Sequence, residues 1–124
     1  MKLKYFKKKE FKCPCCGESK MHPEFLKALD LARGFSRTPY KITSGYRCQN
    51  HNDSLPNSKP NSSHIDGLAV DVACTDSRSR ALIIGGLVEA GFTRIGIAST
   101  FLHCDLADQL GEKNTKDEIV FWLY

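Results

Sequence analysis

The chain has 124 residues, 41% hydrophobic and 26% charged, a composition near globular averages that excludes a disordered or fibrous protein and allows one hydrophobic core but not two. No stretch approaches the roughly 20 apolar residues of a membrane-spanning helix, so no membrane span is expected. The formal net charge of +4 comes largely from the start, where Lys2, Lys4, Lys7, Lys8, Lys9 and Lys12 crowd together; residues 1–12 read as a basic, solvated arm with a general attraction for polyanions, and residues 13–124 as a single domain.

No apolar run follows those lysines, so the segment does not read as a secretory signal, and the chain is expected to be cytoplasmic as synthesised. Six cysteines follow or are scattered beyond, Cys13, Cys15, Cys16, Cys48, Cys74 and Cys104. Without a signal their default is the reduced thiol. "CPCC" holds one Cys-x2-Cys step, Cys13 to Cys16, and no second such pair completes a zinc ribbon. A structural zinc there would need Cys48, Cys74 or a histidine as a distant partner.

"MHPEFLKALDLARGF" places Phe25, Leu26, Leu29 and Ala32 at helical spacing, with Pro23 suited to the first turn and Gly34 to the stop. A short strand follows around Lys41 to Thr43. "CQNHNDSLPNSKPNSS" is rich in Asn, Ser and Pro and reads as a loop, of a length that small domains keep for function. "GLAVDVAC" alternates as a strand. "TDSRSRALIIGGLVEAGF" has a polar start at Thr75 and Asp76, apolar Leu82, Ile83, Leu87 and Ala90, and Gly91 as its cap, which predicts a second helix. "RIGIA", "FLHCDLA" and "EIVFWLY" read as three further strands. Without regular strand–helix alternation, the order predicts an α+β domain: a small, mostly antiparallel sheet with two main helices packed on it.

Strand parity puts Phe101, His103 and Asp105 on one face of their strand and Leu102, Cys104 and Leu106 on the other. In the earlier strand, Asp71 shares its face with Ala69 and Ala73, small residues that leave space in front of a carboxylate. His64, Asp71 and His103 supply the two imidazoles and one carboxylate of a three-ligand zinc site that keeps an open position, placed on the sheet by tertiary structure. Such a site polarises a carbonyl and makes water nucleophilic near neutral pH, and amide hydrolysis is its natural use. Taken singly, His103 also reads as a hydrogen-bonded core histidine and Asp71 as a carboxylate satisfied by amides or an Arg.

"SSHIDGLAVDV" resembles the Ser-x-His-x-x-Gly-x-Ala-x-Asp motif of the D-alanyl-D-alanine carboxypeptidase family of zinc peptidases, which includes dipeptidases and phage endolysins that cut peptidoglycan. "ITSGYRC" is similar to the family's Ser-Gly-Tyr-Arg segment and "FLHCDL" to the strand carrying its third ligand. The resemblance runs over nearly the whole chain after the basic arm and is closest to small single-domain members of phage and prophage type. It implies one catalytic Zn2+ held by His64, Asp71 and His103, with a peptidoglycan peptide as substrate. It also implies Arg47 as the group that binds a substrate carboxylate or stabilises an oxyanion, and Ser62 as a hydrogen-bond partner of substrate or ligand.

The family's general base stands three positions before the last His, where this chain has Thr100, or in a variant two before, where it has Phe101. Asp105, on the face of His103, is the expected substitute as catalytic base, followed by Asp66 and Glu118. Two other functions compete: a zinc-stabilised binding domain of the same fold without turnover, as in the related Hedgehog signalling domain, and a zinc-ribbon nucleic-acid binder, which ranks last for want of a second Cys pair. By family analogy, the missing export signal fits a phage or prophage lysin released to the wall by a holin. Nothing in the sequence sets the bond cleaved or an oligomeric state.

Overall fold

The computed structural model describes residues 2–110 and 120–124. Its elements run in the order of a 3-10 turn at Lys8–Phe11, α1 (Pro23–Ser36), β1 (Ile42–Ser44), α2 (Gln49–Ser54), β2 (Ala69–Ala73), α3 (Ser77–Glu89), β3 (Arg94–Ile97), β4 (Phe101–Asp105), α4 (Ala107–Leu110) and β5 (Val120–Leu123). The expected α+β class is the observed one. Five strands form one sheet in the order β1-β2-β4-β3-β5, antiparallel except where β5 lies parallel to β3.

The two long helices pack together on one face because their apolar residues fall on one side. Phe25, Leu26, Leu29 and Ala32 of α1 and Ile83 and Leu87 of α3 join Val70, Val72, Ile95, Leu102 and Cys104 of the sheet in one core. Strand parity does the sorting. Once Val70, Val72, Leu102 and Cys104 turn toward the helices, Asp71 and His103 must turn to the other face. Asp76 opens α3 by accepting the Ser79 N–H at 2.8 Å, as its polar start predicts. Gly91 takes the left-handed φ of 98° just past the helix end.

Three expectations need correction. Gly34 does not end α1: the helix runs to Ser36 and Arg37 takes the left-handed conformation, φ 55°, while Gly34 lies under the Tyr5 ring. The segment after Cys48 is not all loop, since the Cys48 sulfur caps the short helix α2. Residues 1–12 are not simply a solvated arm. Their lysines are exposed, but Phe6 and Phe11 are buried in the core, and the Lys4 and Tyr5 N–H groups donate to the Asp30 carboxylate at 3.0 and 2.9 Å. The strand expected over 118–124 is observed from Val120 to Leu123, and residues 118 and 119 lie outside the described residues.

Candidate metal centre

The register of the sheet builds the centre. Ser44 pairs with Asp71, Asp71 with His103, His103 with Gly96 and Gly96 with Trp122, one row running across all five strands. Directly opposed residues in such a row bring their Cβ atoms about 5 Å apart, so Asp71 and His103 meet by register alone. His64 enters from outside the sheet. The turn at 62–67 carries it, closed by Ile65 N–H on the Ser62 carbonyl at 3.1 Å and Gly67 N–H on the His64 carbonyl at 3.3 Å, and the Arg47 N–H on the same His64 carbonyl at 3.2 Å ties that turn to the segment after β1.

Both imidazoles are fixed from behind. His64 Nδ1–H donates to the Gly45 carbonyl at 2.8 Å, which turns Nε2 toward Asp71 Oδ1 at 3.4 Å. His103 Nε2–H donates to Asp105 Oδ2 at 2.8 Å, which turns Nδ1 toward the same Asp71 oxygen at 3.0 Å. The three ligand atoms lie within 4.8 Å of one another. Ligands on a tetrahedral zinc at about 2.0 to 2.1 Å stand about 3.3 Å from each other, so the spacing fits the ion. A carbonyl or carboxylate behind each imidazole is also what zinc-binding histidines carry.

The charges are coupled. Burial would raise the Asp71 carboxyl, but hydrogen bonds from His103 and His64 hold it well below the usual carboxylate range. Burial would lower His103, yet the carboxylates of Asp105 and Asp71 push it up to about 8. Asp105 also lies below its ordinary value: burial opposes this, and His103, Arg94 and the Ala107 N–H produce it. Both ring nitrogens of His103 face carboxylates, an arrangement that favours its protonated form.

Arg47 stands at the edge of the centre, Nη2 at 3.5 Å from Asp71 Oδ2. Its Nε donates to Ser44 Oγ at 3.1 Å and its Nη1 to Asn52 Oδ1 at 3.4 Å. Asn52 is wholly buried and anchored in turn by donating to the Lys59 carbonyl at 2.7 Å.

Asp105 and Ser62 both bear on the two histidines. Asp105 does reach the centre, but both its oxygens are engaged, Oδ2 with His103 and Oδ1 with Arg94 Nε at 2.8 Å and the Ala107 N–H at 3.1 Å. It is placed to orient an imidazole, the other role open to a carboxylate on this face. Ser62, expected as a hydrogen-bond partner of substrate or ligand, accepts the His64 N–H at 3.3 Å and so caps the turn that carries that histidine. Asp66 is exposed on the same turn, and Glu118 lies outside the described residues.

Sequence reasoning missed Asn52, Arg94, the Gly45 carbonyl and the aromatic wall. The Trp122 ring centroid lies 5.6 Å from that of His103 and 5.1 Å from the Arg94 guanidinium, with Tyr124 beside it. Trp122 occupies the space above Gly96, where an added Cβ would stand 2.7 Å from the indole. Only the aromatic content of "VFWLY" hinted at this wall, since its position depends on a parallel pairing that local sequence does not encode.

A family model described as Peptidase M15 matches residues 4–105, a span that holds His64, Asp71, His103, Arg47 and Asp105. Among curated proteins none matches the chain. Zinc dependence is a property of the family, and a donor set of two anchored imidazoles and one carboxylate is what that ion requires. The match covers most of the chain, including every residue of the His64, Asp71 and His103 cluster, and the chain therefore belongs to the Peptidase M15 family, the zinc D-alanyl-D-alanine carboxypeptidase family of metallopeptidases.

Proposed function

We propose that the chain hydrolyses D-amino-acid-containing peptide bonds of bacterial peptidoglycan, as a carboxypeptidase or an endopeptidase, with His64, Asp71 and His103 holding the catalytic zinc. The observation that carries this reading is the convergence of two imidazoles, each fixed at its far nitrogen, on one carboxylate oxygen. When bound, zinc supplies Lewis acidity, which polarises the scissile carbonyl and makes water nucleophilic near neutral pH.

The side chains divide the remaining work. Asp105 holds His103 in one tautomer, and Gly45 does the same for His64 through its carbonyl. Arg47, braced by Ser44 and Asn52, presents a planar guanidinium at the edge of the centre, suited to a substrate carboxylate or to the oxyanion of a tetrahedral carbonyl. Trp122 forms an apolar wall beside His103.

Proton transfer favours a second reading, a zinc-stabilised binding domain without turnover. Among the described residues the two carboxylates of the centre are both committed, Asp71 to the imidazoles and Asp105 to His103 and Arg94, and Thr100 stands where the family's acid would be. Mass spectrometry of purified muropeptides after incubation with zinc-loaded protein separates the two. New termini at a D-amino acid support the peptidase and name the bond; intact muropeptides with one ion in the His64 site support the binding domain.

A further inference from the structure

The thiols of Cys13, Cys16 and Cys48 form a second cluster away from the His64 centre, their sulfurs all within 4.8 Å of one another. The Cys13 and Cys48 sulfurs are 3.8 Å apart. A disulfide requires about 2.05 Å, whereas sulfurs on a tetrahedral zinc with bonds of about 2.3 Å stand about 3.8 Å apart. The spacing is that of ligands around an ion. The turn is shaped for the purpose: Cys13 N–H donates to the Glu18 carbonyl at 2.7 Å and Gly17 N–H to the Cys13 carbonyl at 2.9 Å, which folds "CPCCG" back on itself.

Backbone donors also face the sulfurs. Cys48 N–H points at Cys13 Sγ at 3.5 Å and His51 N–H at Cys48 Sγ at 3.4 Å. Such donors stabilise thiolate, the ligating form. Cys15, next to Cys16 in the same turn, offers a further sulfur, and both are exposed, which leaves an entry path.

We propose that Cys13, Cys16 and Cys48, completed by Cys15, bind a second, structural zinc ion, its charge replacing thiol protons released to solvent. All-sulfur donors select zinc over the hard cations magnesium and calcium. The site clamps the chain's first segment to residues 45–48. Tyr46 N–H already donates to the Phe11 carbonyl at 2.9 Å, and a Cβ on Gly45 would stand 2.7 Å from the Phe11 backbone. That clamped segment carries Arg47 and the Gly45 carbonyl that anchors His64, so the ion fixes the backbone on which the other centre rests.

Cobalt(II) exchange of the full chain, purified under reducing conditions, tests this without reference to turnover. Thiolate ligation gives an intense near-ultraviolet sulfur-to-cobalt charge-transfer absorption that a His/Asp/His site, having no sulfur, cannot produce. The unmutated chain should show that band, as should Cys74→Ser and His64→Ala, and His64→Ala should retain one zinc. Cys13→Ser and Cys48→Ser should lose it, and Cys15→Ser should weaken it. A cobalt-loaded unmutated chain without the band, or a Cys13–Cys48 disulfide in protein isolated anaerobically, overturns the proposal even if every variant misfolds. An unchanged band in Cys15→Ser removes Cys15 from the ligand set.

Discussion

Asp105 is buried, ionised and bonded at both oxygens, and its worth to the molecule lies in what it does to His103. Removing an acceptor behind a ligating imidazole typically lowers metal affinity about 10- to 100-fold. Asp105→Ala should show that loss in a zinc competition titration against a chromophoric chelator. Unchanged affinity would return Asp105 to the role of proton acceptor. Arg47→Ala should leave zinc bound while lowering kcat/KM on a cleavable muropeptide about ten- to a hundredfold, the equivalent of a lost charge-assisted hydrogen bond of about 1.5 to 3 kcal/mol. Kinetics equal to the parent's would make Arg47 only a partner of Asp71. At this scale the sequence displayed the cluster well, because residue type and motif position mark which side chains could hold a metal. It could not display roles. Parity put Asp105 on the face of His103, but whether it meets the imidazole's far nitrogen or open space depends on rotamers set by Arg94 on the next strand.

Strands β2 and β4 were legible because apolar and polar residues alternate along them, and α1 and α3 because apolar residues recur at helical spacing. Helix α2 was not. "QNHNDS" has low helix propensity and no apolar residue; the Cys48 sulfur caps the helix and buried Asn52 bonds to the Lys59 carbonyl. The parallel docking of β5 on β3 was equally hidden, since alternation gives a strand its faces but not its neighbour. That docking rests on Gly96. A methyl there would stand within 2.7 to 2.8 Å of the indole, and overpacking of this kind costs about 1 to 3 kcal/mol. Gly96→Ala should therefore lower Tm and shift the emission of Trp122, the chain's single tryptophan. An unaltered melt and spectrum would mean that β5 is not held against β3 by this contact.

Across the whole molecule the centre couples folding to pH. With metal removed, His103 is raised from 6.5 to about 8, so its contribution is fully present below pH 6.5 and disappears as pH rises through about 8. A shift of that size corresponds to about 2 kcal/mol. Asp71 and Asp105 act in the opposite direction: both are lowered from 3.8, so their contribution is present above that value and lost as pH falls below it. The metal-free protein should thus be most stable from about pH 4 to 6.5, to the acid side of neutrality, although its net charge is positive throughout. Zinc reverses the alkaline limb. The nitrogen that meets Asp71 would then hold the ion in place of a proton, and since ligation requires neutral imidazole, raising the pH toward 8 favours the loaded state. Urea unfolding at pH 5 to 9, with chelator and with saturating zinc, reads both limbs. The chelated series should fall by about 2 kcal/mol across the alkaline half while the zinc series holds or rises. A chelated series that is flat from pH 6 to 9 would mean that His103 does not bridge the two carboxylates as an imidazolium, and the assignment of its Nδ1 to the metal side would lose its support.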